Sequence, residues 1–378
     1  MRPIRRIALT VFALALGTAL VFGLAYIGKN TQGPIQDMFT NAGDAIRGLE
    51  EKAILKQRSE ARIEQLRWLE RSPEALRNPP RILLGAYDEH ARESLKTLFD
   101  LEAALQTTFP LVQIYTAWGS KADQAFPKIQ VQSILKSGSI PVITWEPWLT
   151  DFDASAFPDG LRPVETRDKN GLQDVAKGVY DTYLRTWARA AAKVGQPIFL
   201  RVGHEMNDPY RYPWGPQNNQ VEDFLAAWRH IHGIFKAENA ENVLWVWSPH
   251  PAYGLFEAYY PGDAFVDWVG VGVLNYGTVA HWSRWWLFDD IFGKYYSELA
   301  VFDKPIMISE FGSLAVGGDR TEWYTDALSD LPERYPLVRG LLFFHFSNDK
   351  TTTQQPLDWT IKNDPEILSE VTKIIRSW

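Results

Sequence analysis

The chain contains no cysteine. In an oxidising compartment it would gain no disulfide, so its stability must come from a large core. The same absence, with no His-Glu-x-x-His and seven scattered histidines, leaves zinc chemistry without a ligand set. Gly-x-Ser-x-Gly, the elbow of serine hydrolases, is missing, and Gly317-Gly-Asp319 lacks the lysine and helix context of a phosphate loop. No cofactor or metal is expected. A net charge of −7 gives no basic surface for nucleic acid or for an anionic bilayer. No repeat of 20–50 residues stands out.

Long apolar runs are scarce except at the start. Met1-Arg-Pro-Ile-Arg-Arg6 precedes an uncharged stretch, Ile7 to Ile27, of about 21 residues, enough to cross a hydrocarbon layer as a helix. It exceeds the apolar core of a cleaved signal peptide, so a retained transmembrane anchor is expected, with secretion after cleavage as the alternative. Basic residues precede the span, which leaves the N-terminus cytoplasmic and the bulk of the chain in the periplasm or outside the cell.

From Asn30 to Pro79 the sequence is polar and charged, with Leu49, Ile54, Ile63, Leu66 and Leu69 at helix-like intervals. This predicts an amphipathic spacer, either a stalk or a helix laid on the following domain, ended by Pro79-Pro80. Beyond it, short apolar runs alternate with amphipathic stretches. The runs are Ile82–Tyr87, Val112–Thr116, Ile140–Trp145, Pro197–Val202, Val243–Trp247, Trp268–Leu274, Pro305–Ser309 and Gly340–Phe346. Helices are expected over Val175–Val194 and Val221–Ala237. Eight runs in one α/β domain predict a (β/α)8 TIM barrel. The expected organisation is an anchor or signal segment over 1–30, a helical spacer over 31–79 and the barrel over 80–378.

Barrel sites sit at the C-terminal ends of the strands. Arg201-Val-Gly-His-Glu-Met-Asn-Asp208 places Glu205 after the fourth run, and Ile308-Ser-Glu-Phe-Gly312 places Glu310 after the seventh. Two carboxyls facing one opening are what glycoside hydrolysis needs, one to protonate the leaving oxygen and one to stabilise or attack the anomeric carbon. Arg201 lies four residues before Glu205 and so on the same side of the strand, where it either keeps a carboxylate charged or forms an ion pair low in the barrel. His204 and Asn207 flank Glu205 as donors to a sugar hydroxyl. Glu146, in Thr144-Trp-Glu-Pro-Trp148, is a third carboxyl at the rim. Sixteen tryptophans and fifteen tyrosines supply flat faces for sugar rings or for packing. Those recurring at strand ends, Trp118, Trp148, Trp214, Trp247 and Tyr276, are expected to line a sugar-stacking cleft. Trp145 falls in the same pattern. The loop His281-Trp-Ser-Arg-Trp-Trp286 either extends the cleft or faces the membrane.

These strings resemble glycoside hydrolase family 26, the β-mannanase-type barrels of a larger retaining clan, over roughly Ile82 to Lys362. Asn242-Val-Leu-Trp-Val-Trp-Ser-Pro, Tyr259-Tyr-Pro-Gly-Asp, Val266-Asp-Trp-Val-Gly and Leu357-Asp-Trp-Thr-Ile support the likeness. The resemblance implies Glu205 as acid/base, Glu310 as nucleophile, and a retaining endo-β-glycanase acting on β-1,4-mannan or a related β-glycan. One departure stands out. The family's sixth strand typically carries a tyrosine that supports the nucleophile, whereas here Leu274 falls at that position and Tyr276 two residues on. That departure bears on mannan as substrate and keeps two alternatives in view, a mixed-linkage β-1,3/1,4-glucanase trimming an exported polysaccharide beside its synthesis and export machinery, and a non-catalytic polysaccharide-binding scaffold.

Overall fold

The computed structural model describes Arg58 and residues 60–157 and 160–378. The anchor expected over Ile7–Ile27 and the first half of the spacer lie outside these residues. Among the described residues no helix is long and apolar enough to cross a membrane.

Eight parallel strands close into a barrel in sequence order. They are β1 Leu83–Asp88, β2 Leu111–Ala117, β3 Ile140–Glu146, β4 Ile198–Val202, β5 Val243–Trp247, β6 Trp268–Asn275, β7 Ile306–Ser313 and β8 Val338–His345. Closure is by β8 on β1, in register from Leu83 opposite Gly340 to Asp88 opposite His345. Each strand is followed by a helix: α1 Lys96–Ala104, α2 Lys128–Lys136, α3 Asp181–Ala192, α4 Val221–Ala237, α5 Phe256–Tyr259, α6 Lys294–Ala300, α7 Arg320–Leu328 and α8 Pro365–Ile375. With helices over the sheet and side chains filling the barrel, the strands are buried on both faces, which is why they read as nearly continuous apolar runs. Asp319 and Asp364 cap α7 and α8 by accepting from the amides of Glu322 and Ile367.

Two expectations are revised. The helix expected over Val175–Val194 is two, Gly171–Ala176 and α3, because Gly178 takes φ +88° between them. The seventh strand runs four residues past Ser309, so Glu310 lies inside β7 instead of beyond its end.

The described part of the spacer closes the bottom of the barrel. Leu69 and Leu76 join one cluster with strand-start residues Leu83, Leu111, Ile140, Trp268 and Met307. The Trp268 indole donates to the Leu76 carbonyl at 2.9 Å, and Arg77 Nε meets Asp267 Oδ1 at 2.6 Å. Arg58, 1% exposed, donates to Glu102 Oε1 at 2.6 Å, to Phe109 O at 3.1 Å and to Ser139 Oγ at 2.9 Å. Burial pushes the Arg58 guanidinium down and the Glu102 carboxyl up, each opposed by the other's charge. The pair is held by its hydrogen bonds against a large desolvation cost. Residues from Arg58 on belong to one compact unit with the barrel.

Candidate active site

The barrel mouth is organised by one guanidinium. Arg201, on β4 and fully buried, donates from Nε to Thr144 Oγ1 on β3 at 3.0 Å and from Nη1 to Ser309 Oγ on β7 at 2.7 Å. Its Nη2 reaches the Tyr115 hydroxyl on β2 at 2.9 Å and Glu310 Oε1 at 2.6 Å. Four strands are thereby tied at one level. Of the two roles open for Arg201, the geometry selects the one that keeps a carboxylate charged.

Strand alternation alone would send Ser309 and Glu310 to opposite faces. Here both meet Arg201, because β7 carries a bulge. Val271 pairs with Ile308 and Gly272 with Glu310, leaving Ser309 as the extra residue. Tyr115 completes the arrangement, its hydroxyl donating to Glu310 Oε1 at 2.7 Å. Burial raises the Glu310 carboxyl, but the Arg201 charge and the hydrogen bonds from Tyr115 and Arg201 outweigh it and hold the group below its ordinary range. Glu310 is built to stay ionised.

Glu205 has the opposite setting. Past β4 the backbone turns left-handed at Gly203 (φ +49°) and again at Glu205 (φ +54°), a conformation that costs a non-glycine residue on the order of 1–3 kcal/mol. It is fixed by the Glu205 amide donating to Ser248 O at 2.7 Å and its carbonyl accepting from Asp208 N at 3.0 Å. Glu205 Oε2 is buried with no hydrogen-bond partner among the described residues, and the nearest cation, Arg211 Nη1, is 3.7 Å away. Burial lifts this carboxyl to about 7, with Arg211 pulling down and the Glu310 charge pushing up.

Both carboxyls overhang one floor residue. The point where a Cβ on Gly272 of β6 would stand is 3.5 Å from Glu205 Oε1 and 3.8 Å from Glu310 Oε2. Those two oxygens can be no further apart than the sum of these distances, within reach of one glycosidic bond.

The surrounding residues sort into three groups. His204 is buried, with Nε2 3.0 Å from the Tyr212 hydroxyl; burial and then the Arg201 and Arg211 charges hold it well below its usual value, so the ring is neutral. Its carbonyl accepts from the Trp214 indole at 2.8 Å, and Trp214 stacks on Tyr212 at 4.5 Å with Trp148 edge-on. Trp148 is half-buried and donates to Glu146 Oε2 at 3.0 Å. Burial raises Glu146, partly offset by that bond. Trp214 is 3% exposed with a face on Tyr212, and the expectation that it stacks on sugar is corrected.

The second group faces away from the opening. Trp118 and Trp247 are fully buried, and the expectation that they stack on sugar is corrected. Trp118 packs on Trp145, Tyr180 and Tyr183, and Trp247 on Tyr260 and Phe302. Both belong to the layer between strands and helices and offer no free face. The Asn207 side chain is likewise committed to protein, donating to His250 O and Gly254 O, both at 2.9 Å, and accepting from His250 N at 2.7 Å. It staples the loop after β4 to the loop after β5 and does not offer a donor to a sugar hydroxyl.

The third group holds the far wall. Tyr276 is buried, edge-on to Trp359 at 4.9 Å and to Trp282 at 5.8 Å, and accepts from Thr352 Oγ1 at 3.1 Å. The hydroxyl on Glu310 comes from Tyr115, across the barrel on β2. Sequence reading missed Tyr115 and also Arg211; the signal for Tyr115 was the one aromatic hydroxyl inside the Val112–Thr116 run. Glu205, Asp208 and His250 offer atoms within 4.8 Å of one another that could hold a cation, at the cost of the Glu205 carboxyl.

A β/α barrel carrying a protonatable and an ionised carboxyl over a shared floor has the layout of a glycoside-hydrolase barrel. Comparison with known proteins narrows the class. The chain belongs to Glycosyl hydrolase family 26, whose model matches residues 129–316. Endoglucanase H of Acetivibrio thermocellus is 31% identical over 274 residues, 70% of this chain and 27% of that protein. Mannan endo-1,4-beta-mannosidase A and B of Caldalkalibacillus mannanilyticus is 27% identical over 46% of this chain and 33% of that protein. The chain therefore spans a third or less of these curated relatives. A GH26 β-mannanase structure from Bacteroides ovatus shares the fold at a TM-score of 0.54 and 18% identity, covering 86% of this chain and 93% of that one.

Proposed function

We propose that the protein is a retaining endo-β-glycanase that cleaves β-1,4-mannan or a related β-glycan by double displacement. The observation that carries this reading is the pair of carboxyls above Gly272, one bonded by Arg201 and Tyr115 and the other buried without a hydrogen-bond donor. Glu205 protonates the departing glycosidic oxygen as Glu310 forms a glycosyl ester, and Glu205 then takes a proton from the incoming water. Arg201 and Tyr115 hold Glu310 ionised and aimed, while neutral His204, Glu146 and Trp148 border the sugar. The named relatives act on more than one backbone, an endoglucanase and a mannosidase among them, and a mixed-linkage glucan belongs in the same test. We further place the domain outside the cytoplasm, tethered by the apolar N-terminal segment, where an exported polysaccharide is within reach.

The test is product analysis on mannan, glucomannan and mixed-linkage glucan, with NMR of the first-formed anomer. Retention with internal cuts supports the proposal. Inversion, which goes with carboxyls about 6.5–9.5 Å apart where retention goes with about 5–5.5 Å, would reject the double displacement. Glycan binding without turnover would make the barrel a scaffold.

A further inference from the structure

The loop after β8 does not stay on its own side of the mouth. Its root is closed by Asp349 and Leu357, whose backbones bond to each other, Asp349 N to Leu357 O at 3.1 Å and Leu357 N to Asp349 O at 2.8 Å. Asp349 is buried. Its Oδ2 accepts from the Trp359 indole at 2.9 Å, and its Oδ1 accepts from the amide and the hydroxyl of Thr351 at 2.8 and 2.6 Å. From this root Lys350 to Pro356 stand out as a strap.

Two contacts carry the strap to other walls of the barrel. Thr351 Oγ1 accepts from Arg211 Nη2 at 3.0 Å. Arg211 belongs to the loop after β4, and in the closed order of strands β4 lies opposite β8. Thr352 Oγ1 donates to the Tyr276 hydroxyl, just past β6, at 3.1 Å. The other nitrogen of the same guanidinium, Arg211 Nη1, is 3.7 Å from Glu205 Oε2, so one guanidinium separates the strap from the acid. A segment rooted on β8 that meets side chains from the loops after β4 and β6 lies over the opening that holds the two carboxyls.

The span and its root differ in how they are held. Lys350-Thr-Thr-Thr-Gln-Gln-Pro356 contains no large apolar side chain, and all of it but half-buried Thr353 is exposed. Leu357 and Trp359 at the root are buried in one cluster with Tyr276 and Phe344. A segment with few buried apolar contacts opens at small cost while its packed base stays in place.

We infer that Thr351 and Thr352 latch this strap over the mouth and thereby set the enzyme's selectivity between polymeric and short substrates. The inference rests on the reading of Glu205 and Glu310 as the reacting pair. An internal stretch of a polysaccharide carries chain on both sides of the bond to be cut, so it reaches the carboxyls only when the strap lifts. An aryl glycoside of one or two sugars is small enough to pass beside it. Turnover of polymer then scales with the fraction of molecules whose strap is open.

The experiment measures kcat/KM for the unaltered full chain, Thr351→Val, Thr352→Val and the double variant on two substrates. One is whichever of mannan, glucomannan and mixed-linkage glucan the protein cleaves, and the other is an aryl β-glycoside of one or two of the same sugars. Valine keeps the shape of threonine and removes the hydroxyl. The readout is the ratio of the two kcat/KM values, in which any effect on Glu205 through Arg211 cancels. The latch predicts that the ratio rises about two- to tenfold per lost bond, through faster turnover of the polymer. Thr351→Ser and Thr352→Ser, which keep the hydroxyl, should return the original ratio. An unchanged ratio, or a fall that would make the strap a surface for binding sugar, overturns the inference. If the unaltered protein turns over neither substrate, it is the catalytic reading that fails. The latch is then judged by stopped-flow tryptophan fluorescence of polysaccharide binding, where the double variant should associate faster and equal association rates overturn it.

Discussion

The hydroxyl of Tyr115 on β2 donates to Oε1 of Glu310 on β7 at 2.7 Å, and the same oxygen accepts from Arg201 at 2.6 Å. Two donors converging on one carboxylate oxygen make that group acidic and fix its direction. Tyr115→Phe removes one of them with little change in volume. A hydrogen bond to a charged group contributes about 1.5–3 kcal/mol, so kcat should fall on the order of ten- to a hundredfold. The acid limb of the rate profile should move to higher pH as Glu310 returns toward its ordinary range. Steady-state kinetics from acid to neutral pH check both.

The pH dependence of the unaltered protein follows from the two carboxyls. In the proposed mechanism Glu205 acts protonated, and burial lifts its carboxyl to about 7, so kcat/KM should fall as pH rises through that value. In the same mechanism Glu310 acts ionised and is held below its ordinary range, so the opposite fall should appear below the ordinary carboxylate range. An alkaline limb in the ordinary carboxylate range would contradict the burial of Glu205 as its chief influence.

Arg211 is the nearest cation to Glu205 and pulls its carboxyl down. Arg211→Met should let Glu205 rise, moving the alkaline limb to higher pH while the acid limb stays close to its place. Movement of the alkaline limb in the other direction would show that Arg211 does not act on Glu205 through charge.

The aromatic residues divide by layer, and substitution should reveal the division. Trp148→Ala should raise KM on polysaccharide with little loss of stability. Trp118→Ala, in the strand–helix layer, should cost about 3–5 kcal/mol of folding stability and leave KM in the surviving folded protein near the original. Denaturant titration beside saturation kinetics separates the two.

Arg58 and Glu102 form a buried pair beneath the barrel. Arg58→Met strands the Glu102 carboxyl without its main partner, and breaking such a pair costs about 3–5 kcal/mol. Adding Glu102→Met should recover much of that loss. Chemical denaturation of the two variants gives the answer, and equal instability in both would mean that Arg58 acts through its backbone-carbonyl bonds instead.

How far the sequence could be read depended on the range of the interactions. The eight apolar runs gave the barrel, because strands buried on both faces must be apolar along their length. The positions of Glu205 and Glu310 after or within the fourth and seventh runs gave the site. Helix α4 was legible to the residue from its apolar stripe, whereas the helix before β4 was not, since Gly178 breaks it while the periodicity continues. Trp118 and Trp247 were misassigned because position at a strand end does not say which face a ring takes. Asn207 looked like a sugar donor until its three bonds to the next loop were seen. The tyrosine hydroxyl expected from β6 beside Glu310 comes from Tyr115 on β2, a substitution invisible along the chain because the two strands meet only across the barrel.

The sequence by itself determined the architecture, the pair of acids and their placement at one rim, because burial and strand periodicity are local properties written in residue order. Tertiary structure alone decided which acid holds a proton and which stays charged. That difference comes from the bulge that turns Ser309 and Glu310 to the same side, from the convergence of Tyr115 and Arg201 on one oxygen, and from the burial of the other carboxyl without a donor. Charge state is set by what surrounds an atom in space, and those neighbours arrive from strands far apart in the chain.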